Sequence, residues 1–128
     1  MSRIAGNVNH VSFPIRDLDR SLAFYRDLLG LEIAPRPDLA VQGAWLEAGN
    51  TQIHLIVVPP GTAVDEPPPT LTPIASHVAF TVANHAATLR ELKRAGLEVL
   101  DTGPERGQMW VQDPDGHVIE LIAENARL

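Results

Sequence analysis

The sequence predicts an α+β fold made of two copies of one βαβββ module, and three observations carry that reading. The chain repeats itself: Ile53-His54-Leu55-Ile56 returns 66 residues later as Ile119-Glu120-Leu121-Ile122, and His10-Val11-Ser12-Phe13 returns after 67 as His77-Val78-Ala79-Phe80. Trp45-Leu46 returns after 65 as Trp110-Val111, and Gly30-Leu31 after 66 as Gly96-Leu97. Similarity at a fixed offset marks a repeated structural unit. Hydrophobic spacing then switches within each copy from strand period to one helical stretch and back. Turn residues separate these segments. At 128 residues the chain is long enough for one core and too short for two, so residues 1–128 form one domain, with repeats at about 8–58 and 76–124 sharing that core.

Taken in order, Asn9 to Ile15 is a strand: Val11, Phe13 and Ile15 alternate with His10, Ser12 and Pro14, which puts His10 on the face away from the core. Asp17 or Asp19 caps a helix at about 19–29, with Leu18, Leu22, Tyr25 and Leu29 on one face and Gly30 in the left-handed position that ends it. Leu31–Pro35, Ala40–Glu47 and Gln52–Val58 follow as strands, separated by Pro-Arg-Pro-Asp and by Ala48-Gly49-Asn50. Residues 59–73 hold six of the eleven prolines and no Lys or Arg, so they form a loop that joins the copies. The second copy repeats the order: strand His77–Val82, a helix capped by Asn84 with Leu89 and Leu92 inward, Gly96, then strands Leu97–Leu100, Gln108–Gln112 and Val118–Ala123. The last strand is launched by Asp113-Pro114-Asp115-Gly116, whose proline, aspartates and glycine suit a tight turn.

Composition narrows the chemistry. Hydrophobic content of 45% and charged content of 20% are those of an ordinary globular chain. A net charge of −6 and the lack of any basic run argue against nucleic acid and against an anionic membrane surface. The absence of cysteine leaves histidine and carboxylates as the available chemistry. No apolar signal core opens the chain and no run reaches membrane-spanning length, which leads us to expect a cytoplasmic protein.

Glu120, in the middle of Val-Ile-Glu-Leu-Ile, is costly on a dry face and needs a cation, a hydrogen-bond network or water. His10, His54 and His77 lie on the polar phase of separate apolar strands, at positions the repeat relates to one another and to Glu120. Packing of the copies about an approximate two-fold axis would bring these four together as an N3O donor set for one divalent ion: Zn, Ni, Co, Mn or Fe. His85, at a helix start, and His117, in a turn, read as ordinary surface residues. Trp45 and Trp110 read as core or pocket wall, and Asp113 and Asp115 are explained by the turn.

These segments together resemble the vicinal oxygen chelate superfamily, which includes glyoxalase I, methylmalonyl-CoA epimerase, extradiol dioxygenases, fosfomycin-resistance thiol transferases and bleomycin-binding proteins. The resemblance runs from Asn9 to Glu124 and is carried by His10-Val-Ser-Phe, Asp17-Leu-Asp-Arg-Ser-Leu-Ala-Phe-Tyr-Arg-Asp-Leu-Leu-Gly-Leu, Ile53-His-Leu, His77-Val-Ala-Phe and Asp113-Pro-Asp-Gly-His-Val-Ile-Glu-Leu. It implies paired modules forming one cupped mixed sheet around a divalent metal, usually in a homodimer. Its branches differ at these positions. Bleomycin-binding members lack the ligands, and fosfomycin transferases use three of them with a basic phosphonate pocket, against the acidic balance here. Extradiol enzymes match His10, His77 and Glu120 but leave open a position that His54 would crowd. Glyoxalase I and the epimerase have a fourth ligand on the strand of His54, glutamate in the first and glutamine in the second. The glyoxalase I arginine that holds the glutathione carboxylate falls here on Pro14.

The resemblance and the donor set together point to a metal-dependent, glyoxalase-like lyase or isomerase. Its small substrate would present two neighbouring oxygens, and Glu120 would move a proton through an enediolate. An extradiol-type dioxygenase is the second reading, and a non-catalytic metal- or ligand-binding protein the third.

Overall fold

The computed structural model describes residues 3–127 and divides the chain into two compact units, Met1–Ala63 and Val64–Leu128. Each unit is one βαβββ module with its own four-stranded mixed sheet, so the two-module α+β fold is present with the sheet in two parts.

In the first unit, β1 (His10–Ile15), α1 (Leu18–Leu22), β2 (Glu32–Ala34), β3 (Gly43–Ala48) and β4 (Thr51–Val57) follow one another. The strand order is β1-β4-β3-β2, with β1 parallel to β4 and the other pairs antiparallel. Strand alternation sorts the side chains. Phe13, Ile15, Ala44, Leu46, Ile53 and Leu55 are buried toward the helix, while His10, Gln52, His54, Trp45 and Glu47 share the other face. Asp17 caps α1 by accepting from the Arg20 N–H at 3.0 Å. The helix does not keep α period. Ala23–Leu28 forms a π-helical turn, and this wider winding buries Ser21, Phe24 and Tyr25 while Leu18, Leu22 and Leu29 stay partly exposed. The face expected at Leu18, Leu22, Tyr25 and Leu29 is therefore rotated. Phe24 meets Tyr25 edge-on at 4.9 Å, and Tyr25 lies 6.0 Å from Phe13. Gly30, at φ 81°, ends the segment where a left-handed residue was expected.

In the second unit, β5 (His77–Val82), α2 (His85–Arg94), β6 (Leu100–Asp101), β7 (Gln108–Gln112) and β8 (Val118–Ala123) give the equivalent order β5-β8-β7-β6. Asn84 caps α2 through the Ala87 N–H at 2.8 Å, and Leu92 is the helix residue most deeply inserted. Three of the four strands have the bounds read from the sequence. The other, expected at Leu97–Leu100, starts late: the Leu97 N–H still closes the helix end on the Leu92 carbonyl, so pairing with β7 begins only at Leu100. Asp113 ties the turn before β8 by accepting from the N–H groups of Asp115 and His117, both at 2.9 Å. Gly116 supplies the positive φ of 98°. Among the described residues no helix is long and apolar enough to cross a membrane.

Candidate metal centre

The four sequence-selected donors fall into two pairs, one in each unit. In the first unit, pairing of Ser12 and Trp45 with His54 puts His54 on the central strand between β1 and β3. The His10 ring stacks on His54 with centroids 3.9 Å apart and planes 12° apart. Trp45 covers the other side of His54 at 4.3 Å and 5°. This three-ring ladder leaves His54 8% exposed and walls an open cleft of about 640 Å³ lined by Asn9, Glu47, Gly49, Asn50 and Gln52 as well.

Neighbouring amides set which nitrogen each ring offers. Glu47 can only accept, so the Gln52 atom 3.2 Å from it is the amide nitrogen, and Gln52 must turn its oxygen to His54 Nε2 at 2.9 Å. His54 Nε2 therefore carries the proton, and Nδ1 holds the lone pair. Burial, then the charges of His10 and Arg36, push the His54 pKa below 6.5, so the ring is neutral and ready to donate at pH 7. His10 is fixed the other way: Nδ1 donates to Asn9 Oδ1 at 2.8 Å, which leaves Nε2 free.

In the second unit Glu120 occupies the position that His54 has in the first, paired on one side with Ala79 and on the other with Trp110. It is 6% exposed, and Gln108 Nε2 donates to its Oε2 at 3.2 Å. His77 Nδ1 donates to the Ala75 carbonyl at 2.8 Å, so the proton of the neutral ring is already committed there. Its Nε2 nevertheless faces Glu120 Oε1 at 3.0 Å. A lone pair and a carboxylate oxygen at that distance repel unless a positive charge, a proton or a metal ion, lies between or beside them. The donors thus fit a divalent ion: imidazoles oriented by second hydrogen bonds, and a carboxylate beside one of them. Among the described residues no three His, Cys, Asp or Glu side chains group closely enough to hold an ion by themselves.

His85 lies outside these pairs and bonds Asp101 at 2.8 Å, joining the start of α2 to β6. The sequence reading missed Asn9, Glu47, Gln52, Gln108 and the stacking role of Trp45. Gln52 was accessible to it, since it shares the polar phase of β4 two residues before His54. Gln108 likewise shares the phase of Trp110.

With this geometry in hand, comparison with known proteins identifies the class. The family model of the glyoxalase/bleomycin resistance protein/dioxygenase superfamily matches residues 7–121, and the chain belongs to that superfamily. Within it, Arabidopsis thaliana glyoxylase I 4 is 30% identical, over 94% of this chain and 76% of its own length. The metallothiol transferase FosB of Staphylococcus epidermidis is 30% identical, over 90% of this chain and 80% of its own. A solved structure of a glyoxalase-family protein from Bacillus anthracis superposes with a TM-score of 0.76 at 26% identity, covering 96% of this chain and 98% of that one.

Proposed function

We propose that His10, His54, His77 and Glu120 hold one divalent metal ion, and that the protein is a glyoxalase-like lyase or isomerase acting on a small carbonyl compound with two adjacent oxygens. The observation that carries this reading is the approach of His77 Nε2 to Glu120 Oε1 at 3.0 Å while Nδ1 is bonded to a carbonyl. Relatives named glyoxylase and metallothiol transferase support a metal-dependent reaction on a small molecule. Each unit offers two donors, and a homodimer allows the set to be completed within a chain or between two copies.

When bound, the ion would act as a Lewis acid that favours negative charge on the substrate oxygens. The chain does the rest. Glu120 is the base that takes a proton from the carbon beside the carbonyl and returns it to the neighbouring carbon, through an enediolate. Gln108 holds the carboxylate in position through Oε2. His54, as a neutral donor in place of a second carboxylate, leaves the site about one charge more positive and so better matched to an anionic oxygen.

Metal analysis of purified protein should find one ion per chain, and added Ni, Co, Zn or Mn should raise the melting temperature of stripped protein. The loaded protein should exchange deuterium from solvent next to the carbonyl of a 2-oxo or 2-hydroxy compound without consuming oxygen. One observation favours a second reading. The His54 ring is packed between the His10 and Trp45 rings, so a three-donor set of His10, His77 and Glu120 would suit the extradiol-type dioxygenase. Oxygen uptake with a catechol that persists in His54→Ala, without exchange at any carbonyl tested, would select it. Light scattering in chelator and in metal tests the dimer.

A further inference from the structure

We propose that Arg36 is an anion anchor on the His10–His54 face, selecting substrates that carry a second negative group beyond the two metal-directed oxygens. This rests on the metal reading above and names the substrate class for that site.

The placement follows from register. In β2, Glu32 pairs with Glu47 and Ala34 with Trp45, so the even-numbered residues of this strand share the face of Trp45 and His54. Arg36 continues that phase just beyond the strand end. Its guanidinium is held by one backbone hydrogen bond. Nη2 donates to the Val41 carbonyl at 2.6 Å, across the turn that leads into β3. A Cβ on residue 43 would run into the Leu55 carbonyl and come within 3.2 Å of the same Nη2, so glycine is what fits beside the guanidinium there. Gly43 pairs with Ile56, two residues along β4 from His54. Same-face neighbours at that spacing are roughly 7 Å apart, the span of a short carbon chain.

The guanidinium has donors to spare. Arg36 Nε is buried and has no hydrogen-bond partner, and among the described residues no carboxylate pairs with the side chain. A desolvated charged donor without a partner is destabilising, and an incoming carboxylate or phosphonate removes that penalty while matching the planar fork. In a chain of net charge −6, and on a face that also carries Glu32 and Glu47, this side chain supplies positive charge at the far end of the strands from those carboxylates. Its field already reaches His54, where it adds to the effect of burial.

The test uses full-length Co(II)-loaded protein, whose visible spectrum reports oxygen ligands reaching the ion. Three probes are titrated: 2-oxoglutarate, 2-oxoglutaramate, which replaces the remote carboxylate with an amide, and pyruvate, which lacks that arm. 2-Oxoglutarate should bind at least about tenfold tighter than the other two, the scale of one charge-assisted pair. Arg36→Gln, which keeps a planar donor for Val41, should erase that preference by weakening 2-oxoglutarate binding much more than pyruvate binding, and Arg36→Lys should restore part of it. In parallel, the Arg36 Nε–H resonance of metal-free protein should move on addition of glutarate. Oxo acids that never perturb the cobalt spectrum, with an Nε–H that still responds to glutarate, would sink the metal reading and leave the anchor standing. Equal binding of 2-oxoglutarate and 2-oxoglutaramate, or a preference that survives in Arg36→Gln, would overturn the anchor.

Discussion

His54 and Glu120 occupy the same place in the two modules, on the central strand of a four-stranded sheet and directly across from a tryptophan, yet their surroundings treat charge in opposite ways. Around His54 lie two flat rings, and burial with neighbouring positive charge keeps it neutral. Around Glu120 lie an amide N–H that donates to one carboxylate oxygen and an imidazole nitrogen that, with its ring proton spent on a carbonyl, needs a positive charge beside the other. Repetition of the module therefore fixes where a polar side chain stands, through strand phase and register. The chemistry at that point is set by how the copied neighbours sit, His10 and Trp45 against His77 and Trp110, and by Gln52 and Gln108, which the repeat does not copy. Trp45 stacks flat on its partner, whereas the indole N–H of Trp110 is buried without an acceptor.

The largest test of this contrast is to take the charge from one position and add it to the other. Glu120→Gln keeps shape and the Gln108 contact region but removes the base, and should lower deuterium exchange by at least about a hundredfold. Metal content must be measured on the same sample, because Glu120 is also a proposed ligand. His54→Glu is the reverse change. It restores a second carboxylate and should retain the metal while weakening the binding of anionic probes such as pyruvate, since the site loses about one positive charge. Unchanged exchange in metal-replete Glu120→Gln would remove Glu120 as the base.

Smaller effects come from the amides behind each pair. Gln52→Leu frees the His54 ring to sample both tautomers, and Gln108→Leu leaves Glu120 Oε2 without its donor. Loss of such a supporting contact lowers metal affinity by about tenfold. Only Gln52→Leu should change the ¹⁵N pattern of the His54 ring from the Nε2–H form to a mixture. A His54 ring that keeps its Nε2 proton in that variant would show that Gln52 does not set the tautomer.

These contacts also mark the boundary of what the sequence disclosed. Alternation in β1, β4, β5 and β8 was legible because each strand is apolar on one side and its neighbours are turn residues, so the phase of His10, His54, His77 and Glu120 followed. The π-helical turn at Ala23–Leu28 was not legible, because a short apolar stretch fits α or π winding equally well and tertiary packing of Phe24 and Tyr25 decides. The start of β6 slipped for a related reason: Leu97 reads as strand but is held by the Leu92 carbonyl. At the site, the strand phase of the four side chains was visible and their tautomers were not. A tautomer depends on a chain such as Glu47 to Gln52 to His54, which exists only once β3 and β4 are in register.

The smallest expected effect concerns His54 alone, as a pH dependence of stability in metal-free protein. In the unfolded chain its pKa is near 6.5, and in the fold burial and then the charges of His10 and Arg36 hold it lower. Between the folded value and 6.5 the unfolded state therefore carries a proton that the native state lacks. Stability rises with pH across that window and this contribution is constant above it, so acidification below 6.5 favours unfolding. His54→Gln removes the titration without adding charge, and the other four histidines stay in place in both proteins. With chelator present, the melting temperature of the wild type should fall more steeply than that of His54→Gln as the pH is lowered from 7.5 to 5. Parallel curves would mean that the ring takes up its proton as easily inside the Trp45–His10 stack as in water, and the neutral-donor role assigned to His54 would go with them.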